Sequence, residues 1–474
     1  MKILLIKPKP ALKTIIKLRP IIFLEPLELG YLAAAAPEGS VVRVLDLRLA
    51  RRAHRAFVKA LKIQQPDIVG LSGYTHEVAE VRELAKLARQ YAPQAKIIVG
   101  GHHATVLPGD FNISSVDAIV RGEGCAPFRA IIEATAAGRD YTSIARVLTP
   151  GENYDSAAAD EIPVYPELDT VPAPRRDLWN PSLYRCIWPS EAHPAWQTIF
   201  PQVSLVRSSF GCRMKCSFCV VPRLSGRRHL TRPVASIVEE IAALPNEHVY
   251  FCDDETFLNE NHARELAEAL ESAGVKKRYF AWARTTTVKR SPELFELWRR
   301  VGLDAVFLGF EAVTDEALKD IDKRASVADN ERAHAALREM GIAVQIGFMV
   351  NAGFTADDFA QLDAYVRALP PAQVTFTVFT PSPGSPSWHD EHEQYVCDPF
   401  ALHDCMHPLT PTKLPLREFY RRFAALSTSG SGCNPLRASN ARFPFREIPR
   451  IIMAVSTYAR ALRRAWRDYP QHLW

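Results

Sequence analysis

Three cysteines set the strongest limit on what this chain can become. Cys212, Cys216 and Cys219 stand at CxxxCxxC spacing within the stretch from Ser208 to Cys219, directly after the apolar run Val203 to Val206. A strand running into such a loop can bring three thiols to one inorganic centre. Iron–sulfur clusters are usually held by four thiolates, so a cube held by three keeps one iron open to an outside ligand, as catalytic metal sites keep an open position. A structural zinc knuckle needs four closed N or S ligands, and no second CxxC or HxxxH pair lies near this loop. Cys252, in a separate apolar segment, could swing in as a fourth ligand, and buried free cysteines are the remaining alternative.

With aromatic Phe218 directly before the third cysteine, the loop resembles the signature of the radical S-adenosylmethionine (radical SAM) superfamily. The resemblance implies a [4Fe–4S] cluster on Cys212, Cys216 and Cys219, with SAM chelated at the open iron and reduced to a 5′-deoxyadenosyl radical. It also implies an external one-electron reductant of the flavodoxin or ferredoxin type.

A chain of 474 residues exceeds the size at which one core keeps growing, so two or three domains are expected. The net charge of +5 is too small and dispersed to argue for nucleic acid. Nine scattered cysteines with one tight cluster argue against a disulfide framework and for a reducing compartment. The apolar start Met1–Ile6 is interrupted at once by Lys7-Pro8-Lys9-Pro10, too short for a signal-peptide core. No run reaches the roughly 20 apolar residues of a membrane span. The expected location is the cytoplasm, with peripheral membrane contact open.

Residues 1–140 read as an α/β domain. Strand candidates Lys2–Ile6, Val41–Asp46, Asp67–Leu71, Lys96–Val99 and Ala118–Val120 alternate with helical patterns such as Glu77–Tyr91 and Pro127–Ala137, which predicts a doubly wound, Rossmann-like parallel sheet. Ligands of such sheets sit beyond the carboxyl ends of the strands. Those ends read Ser72-Gly73-Tyr74-Thr75, Gly100-Gly101-His102-His103-Ala104-Thr105 and Arg121-Gly122-Glu123-Gly124. Ahead of a radical SAM loop, this order is similar to the cobalamin-binding domain of the B12-dependent radical SAM proteins. The resemblance implies cobalamin contacts at Ser72, Gly73, Tyr74, Thr75, Gly100, Gly101, His103, Ala104, Gly122 and Glu123, with His103 bonded to the corrin or its nucleotide tail. Two departures stand out. Lys7-Pro8-Lys9-Pro10 occupies the place of the DxHxxG loop whose histidine ligates cobalt in the better-known fold, and Cys125 follows RGEG where the family often has glutamate. Histidine ligation of cobalt from the first loop is therefore not expected, and Cys125 reads as a small apolar filler.

Residues 141–201 form a Pro- and Asp-rich connection whose Tyr154, Tyr165, Trp179, Tyr184, Trp188 and Trp196 suit a strap packed between domains. From 202 to 386, six strand candidates (Gln202–Val206, Val249–Cys252, Tyr279–Ala283, Ala305–Gly309, Val344–Met349 and Val374–Phe379) alternate with helices. Six such units make a partial (β/α)6 barrel, whose chemistry collects at the C-terminal strand ends. Asp253 and Asp254 after the second strand can take the SAM amino group through charge-assisted hydrogen bonds. Arg284 after the third can hold the carboxylate with its planar fork, or form a rim salt bridge. Gly309-Phe310-Glu311 after the fourth resembles the family's ribose motif, with Glu311 accepting from the ribose hydroxyls.

Residues 387–474 are expected to be mainly helical. The candidate metal ligands Cys397, His403, Cys405 and His407 carry no strand-end geometry to support a second cluster. Ile451, Val455, Tyr458, Leu462 and Trp466 fall at helical spacing beside Arg460, Arg463, Arg464 and Arg467, a pattern that fits either a basic helix lying on an anionic membrane or an ordinary packing helix.

The whole resembles a cobalamin-dependent radical SAM C-methyltransferase, in which one SAM methylates cob(I)alamin and a second generates the radical that activates an unactivated substrate carbon. The segments Leu24–Tyr31 and Asp404–Tyr420 look most like the hopanoid C-3 methylases, which implies a pentacyclic triterpenoid lipid as substrate. A non-methylating relative such as the anaerobic Mg-protoporphyrin monomethyl ester cyclase and a cobalamin- or redox-sensing binding protein are the alternatives.

Overall fold

The computed structural model describes residues 1–151, 154–156, 160–189, 200–370, 372–428 and 448–473. The N-terminal strands β1 (Lys2–Lys7), β2 (Val41–Asp46), β3 (Ile68–Ser72), β4 (Lys96–Gly100), β5 (Ala118–Val120) and β6 (Val147–Leu148) form one sheet in the order β2-β1-β3-β4-β5-β6. The first five are parallel, in register from Lys2 opposite Val41 and Ile68 opposite Lys96. Their side chains are buried on both faces, as in Leu4 and Leu5, because helices cover each side of the sheet. β6, absent from the expected strands, pairs antiparallel with β5 and closes that edge.

Helices form where the apolar spacing turns from two to three or four. Val78–Tyr91 buries Val81, Leu84, Ala85 and Ala88, one stripe of an amphipathic helix. The stretch Cys125–Ala136 buries Phe128, Ile131 and Ile132 against the opposite face of the sheet.

The second sheet contains β7 (Val203–Val206), β10 (His248–Phe251), β11 (Arg278–Ala283), β12 (Leu303–Glu311), β13 (Ala343–Val350) and β14 (Gln373–Val378), in unbroken sequence order. Every pairing in it is parallel. Among the described residues β14 and β7 are not paired, so this is the open six-stranded barrel the alternation predicts. Between β7 and β10 a two-stranded ribbon, β8 (Ser209–Phe210) with β9 (Leu230–Thr231), frames the cysteine loop. Ser326 with Asp329 and Thr355 with Asp358 open two of the barrel helices as reciprocal capping boxes, each satisfying orphan N–H groups of the first turn.

The connecting segment straps the two halves together. Tyr184 is fully buried and donates its hydroxyl to Asp46 of the first sheet at 3.2 Å, while Trp188 Nε1 donates to Asp304 of the barrel at 2.9 Å. Trp196, another aromatic of this segment, lies outside the described residues. Glu25 anchors the join: Oε1 accepts from the backbone N–H of Leu205 at 2.6 Å and from Arg176, and Oε2 accepts from Trp179 Nε1 at 2.8 Å. Arg176 continues to Glu240 at 2.6 Å, which Arg232 meets at 2.7 Å. Gly30 lies under this knot because a Cβ there would stand 2.7 Å from the Trp179 indole.

The tail carries helices Pro386–Glu391, Leu416–Thr428 and Ile448–Leu462, with a long irregular stretch from Tyr395 to Pro415. Ile451, Tyr458 and Leu462 are buried and Val455 and Trp466 are partly buried. The apolar stripe of the last helix thus packs inward, against the turn Ile15–Leu18 and helix Leu416–Thr428, and is not available to a membrane. No helix among the described residues is long and apolar enough to cross a membrane.

Candidate active site

Gly211 enters the cysteine loop at φ +102°, where a Cβ would lie within 2.5 Å of Ser225. Only glycine lets the backbone pass so close in that conformation. Two carboxylates at the end of β10 then fix the loop. Asp253 Oδ1 accepts from the N–H groups of Ser208 and Ser209 at 2.8 and 2.9 Å, and Oδ2 accepts from the Ser208 hydroxyl at 2.5 Å. Asp254 Oδ2 accepts from Gly211 N–H at 2.8 Å.

Beyond this loop opens a cavity of about 470 Å³ at the C-terminal ends of the barrel strands. Its wall includes all three loop cysteines together with Phe218, Asp253, Asp254, Arg284, Gly309 and Glu311. Cys252 borders it too, its thiol 3.4 Å from the Val206 carbonyl. Among the described residues no three His, Cys, Asp or Glu side chains stand close enough for one metal ion. A four-iron cube is a wider object, in which each thiolate takes a different iron, so cysteines ringing one cavity are the donor set it requires. Burial raises the Cys212 thiol and pushes that of Cys219 up to about 12, so bound metal has protons to displace there.

Arg284 is buried on the cavity wall. Nη1 lies 3.6 Å from Cys216 Sγ, Nη2 donates to the Lys323 carbonyl, and Nε has no hydrogen-bond partner. A buried guanidinium with a donor to spare fits a carboxylate. Glu311 adopts φ +66°, an uncommon conformation for a non-glycine residue, at a register shift between β12 and β13. Its Oε1 is 2.7 Å from Lys323 Nζ. Burial also pushes Asp254 up to about 6 and Glu255 up to about 7.

A second cavity, about 140 Å³, lies beyond the carboxyl ends of β3, β4 and β5. Ser72, Gly100, Gly101, Gly122 and Glu123 line it, as do Gly70, Gly124 and Cys125. Gly101, at φ +99°, could not carry a Cβ without coming 2.9 Å from Ser72 Oγ. Such a slot of glycine backbone admits one flat ring of a large cofactor, such as a nucleotide tail, and not a whole corrin. Two side chains from beyond this domain complete the wall: Tyr165, stacked on Phe210 with centroids 4.3 Å apart, and Arg207 at the end of β7, 5.3 Å from the Tyr31 ring. Neither is evident from strand-end spacing.

Five expected cobalamin contacts stand outside the wall of this slot. Gly73 fits against Val81, and Thr75 and Ala104 are buried. His103 turns into the first domain, with Nδ1 3.3 Å from Thr75 and Nε2 2.9 Å from Asp110, and its ring edge-on to Phe111 and Phe400. Both ring nitrogens are engaged within the protein, so the geometry departs from the expected bond to corrin or tail. Tyr74 is exposed, with Lys7 Nζ 4.9 Å from its ring centre. Lys7, in the place of the missing cobalt-ligating loop, is buried and paired with Glu28 at 3.0 Å and Glu77 at 3.8 Å. Lys323, missed in the sequence, touches both Arg284 and Glu311; no spacing marks it.

Residues 206–366 match the family model of the radical SAM superfamily, and residues 23–132 match that of the B12-binding domain. The hopanoid C-3 methylase of Methylococcus capsulatus is 30% identical over 426 residues, covering 89% of this chain and 78% of its own. The anaerobic magnesium-protoporphyrin IX monomethyl ester cyclase of Cereibacter sphaeroides is 26% identical, covering 78% of this chain and 62% of its own. In fold the chain is similar to the radical SAM methyltransferase TsrM of Kitasatospora setae, solved with cobalamin and a [4Fe–4S] cluster bound. That match has a TM-score of 0.63 at 20% identity and covers 83% of this chain and 75% of the other. The cofactors of the two matched domains are cobalamin, SAM and a [4Fe–4S] cluster. The chain belongs to the cobalamin-dependent radical SAM methyltransferases.

Proposed function

We propose that this enzyme methylates an unactivated carbon of a hopanoid or related pentacyclic triterpenoid lipid, at the C-3 position. The observation that carries this reading is the 30% identity to a hopanoid C-3 methylase, sustained over 89% of the chain. When bound, the cluster and SAM supply a hydrogen-abstracting radical, and cobalamin supplies the methyl group.

The protein's own groups bind, orient and exclude water. Cys212, Cys216 and Cys219 hold the cluster in a loop fixed by Asp253. Arg284 offers its unpaired Nε–H to the SAM carboxylate, Asp254 takes the amino group, and Glu311, steadied by Lys323, accepts from the ribose hydroxyls. The cobalamin tail lies along the glycine backbone of Gly100, Gly101 and Gly122, with Ser72 and Glu123 beside it. An external one-electron donor of the flavodoxin or ferredoxin type completes the system.

The test is an anaerobic reaction of reconstituted protein with hydroxocobalamin, SAM, a strong reductant and a C-3-unsubstituted hopanoid, followed by mass spectrometry. A product heavier by one methylene, with 5′-deoxyadenosine and S-adenosylhomocysteine, is expected. Deoxyadenosine without homocysteine would instead favour cyclase-like chemistry, and neither product from an intact cluster would point to a sensor.

A further inference from the structure

A third cavity lies away from the cofactors. It is an open groove of about 910 Å³ between the segment that follows β1, the strap near Leu183 and the last long helix, Ile448–Leu462. Lys9, Lys17, Arg19, Arg460 and Arg464 are among its lining residues, and no Asp or Glu among the described residues is. None of these five cations forms an ion pair with an acidic side chain among the described residues. Lys9 Nζ donates to the Ala50 carbonyl at 2.8 Å, and Arg19 lies 4.7 Å from the centre of the Phe23 ring. Arg19 lies within the field of the Asp46 carboxylate without pairing with it; cations gathered so repel one another, and an anionic counter-surface relieves that field.

Exposed apolar side chains gather at the rim. Leu49, Leu183 and Met453 line this cavity and are 43%, 42% and 54% exposed. Ile15 and Ile452, adjacent in sequence to lining residues, are 38% and 61% exposed. These are five of the ten large apolar side chains exposed among the described residues. The stripe Ile451, Tyr458 and Leu462 on the same helix faces inward, so Ile452 and Met453 have no part in that packing.

Basic groups set among exposed aliphatic side chains match the interface of an anionic bilayer, where phosphates meet the first methylenes. We propose that this face is the membrane-docking surface of the enzyme: the basic cavity receives anionic phospholipid headgroups, and Leu183, Ile452 and Met453 enter between them. The proposal deepens the lipid-substrate reading, since it gives the enzyme access to a bilayer, but its test does not require that reading.

The full chain, loaded with cluster and cobalamin, is sedimented with hopanoid-free vesicles of pure phosphatidylcholine or of phosphatidylcholine with about a third phosphatidylglycerol. Partitioning to the anionic vesicles at least tenfold above the neutral ones, lost in high salt, is expected. An Arg460→Glu/Arg464→Glu variant is expected to lose at least tenfold of it, and Met453→Asp severalfold, with cobalamin and iron content unchanged. Equal partitioning to both vesicle types overturns the proposal, as does undiminished binding by the charge-reversed variant. Inorganic phosphate is titrated in parallel; saturable phosphate binding without vesicle binding would make the cavity a soluble-anion site and also overturn it. Failure of hopanoid methylation leaves the sedimentation result standing, so the two readings fail separately.

Discussion

Lys323 Nζ sits 2.7 Å from Glu311 Oε1, and this ion pair lies across the backbone of Gly309. A Cβ on Gly309 would fall inside the Glu311 carboxylate and 2.9 Å from Lys323 Nζ. The glycine of the Gly309-Phe310-Glu311 motif is therefore needed to make room for the pair. Gly309→Ala is expected to weaken SAM binding about tenfold or more, the loss of one charged hydrogen bond at ~1.5–3 kcal/mol, with little change in melting. Lys323→Met is expected to follow it. Equilibrium dialysis with SAM checks both.

The cysteine loop should separate assembly from folding. Cys216→Ala is expected to abolish 5′-deoxyadenosine release and lower the iron and sulfide bound. Gly211→Ala is expected to do the same although it removes no ligand, because its φ of +102° and its contact with Ser225 forbid a side chain. Iron analysis with circular dichroism distinguishes an empty loop from an unfolded chain.

Glu25 is buried beneath Arg176, Trp179 and Leu205. Glu25→Ala leaves Arg176 with Glu240 alone and the Leu205 N–H and Trp179 Nε1 without an acceptor, and each buried donor left unsatisfied is expected to destabilise by about 1–3 kcal/mol. The double change Glu25→Ala/Arg176→Met should lose less than the sum of the two single changes. Denaturant melts of the four proteins measure the coupling.

His407 joins the tail to the first residues of the chain. Its Nδ1 is 2.8 Å from Asp404, which accepts from Thr14 at 2.6 Å, and its Nε2 is 3.4 Å from Asp468, which also meets Lys13 at 2.7 Å. Burial opposes charge on the ring, but the two carboxylates outweigh it and raise His407 to about 8. A folded value above the unfolded one of about 6.5 means that the protonated ring stabilises. That contribution is complete below pH ~6.5 and fades as pH rises through 8. The stability difference between the wild type and His407→Gln is therefore expected to shrink by about 2 kcal/mol between pH ~6 and ~9. His76, His102 and His403, held near 4 chiefly by burial, act in the opposite sense on acidification. They cancel in this difference, which melts of both proteins across the range would reveal.

Strand order and the residues that stand at the strand ends were legible because both depend on local pattern. Runs such as Lys96-Ile97-Ile98-Val99 and the CxxxCxxC spacing announce themselves within a dozen residues. The barrel then delivers Cys212, Asp254, Arg284 and Glu311 to one cavity by topology alone. What the sequence hides is pairing across distance. Nothing near Lys323 signals Glu311, and nothing near Arg207 signals a wall in the other domain. His103 lies in the first turn of the short helix His102–Val106, and its ring meets Asp110 and the core, a contact its strand-end place does not signal. The Leu24–Tyr31 segment holds domains together, since Glu25 grips β7 and Gly30 makes room for Trp179.

That same segment touches both chambers: Leu24 borders the one with the cysteines, while Glu28, Leu29, Tyr31 and Leu32 border the one of glycine backbone. The continuous chain from Leu24 to Leu32, pinned at Glu25, is thus a wall common to the two. A change in this short stretch would therefore reshape both chambers at once, one wall serving two rooms.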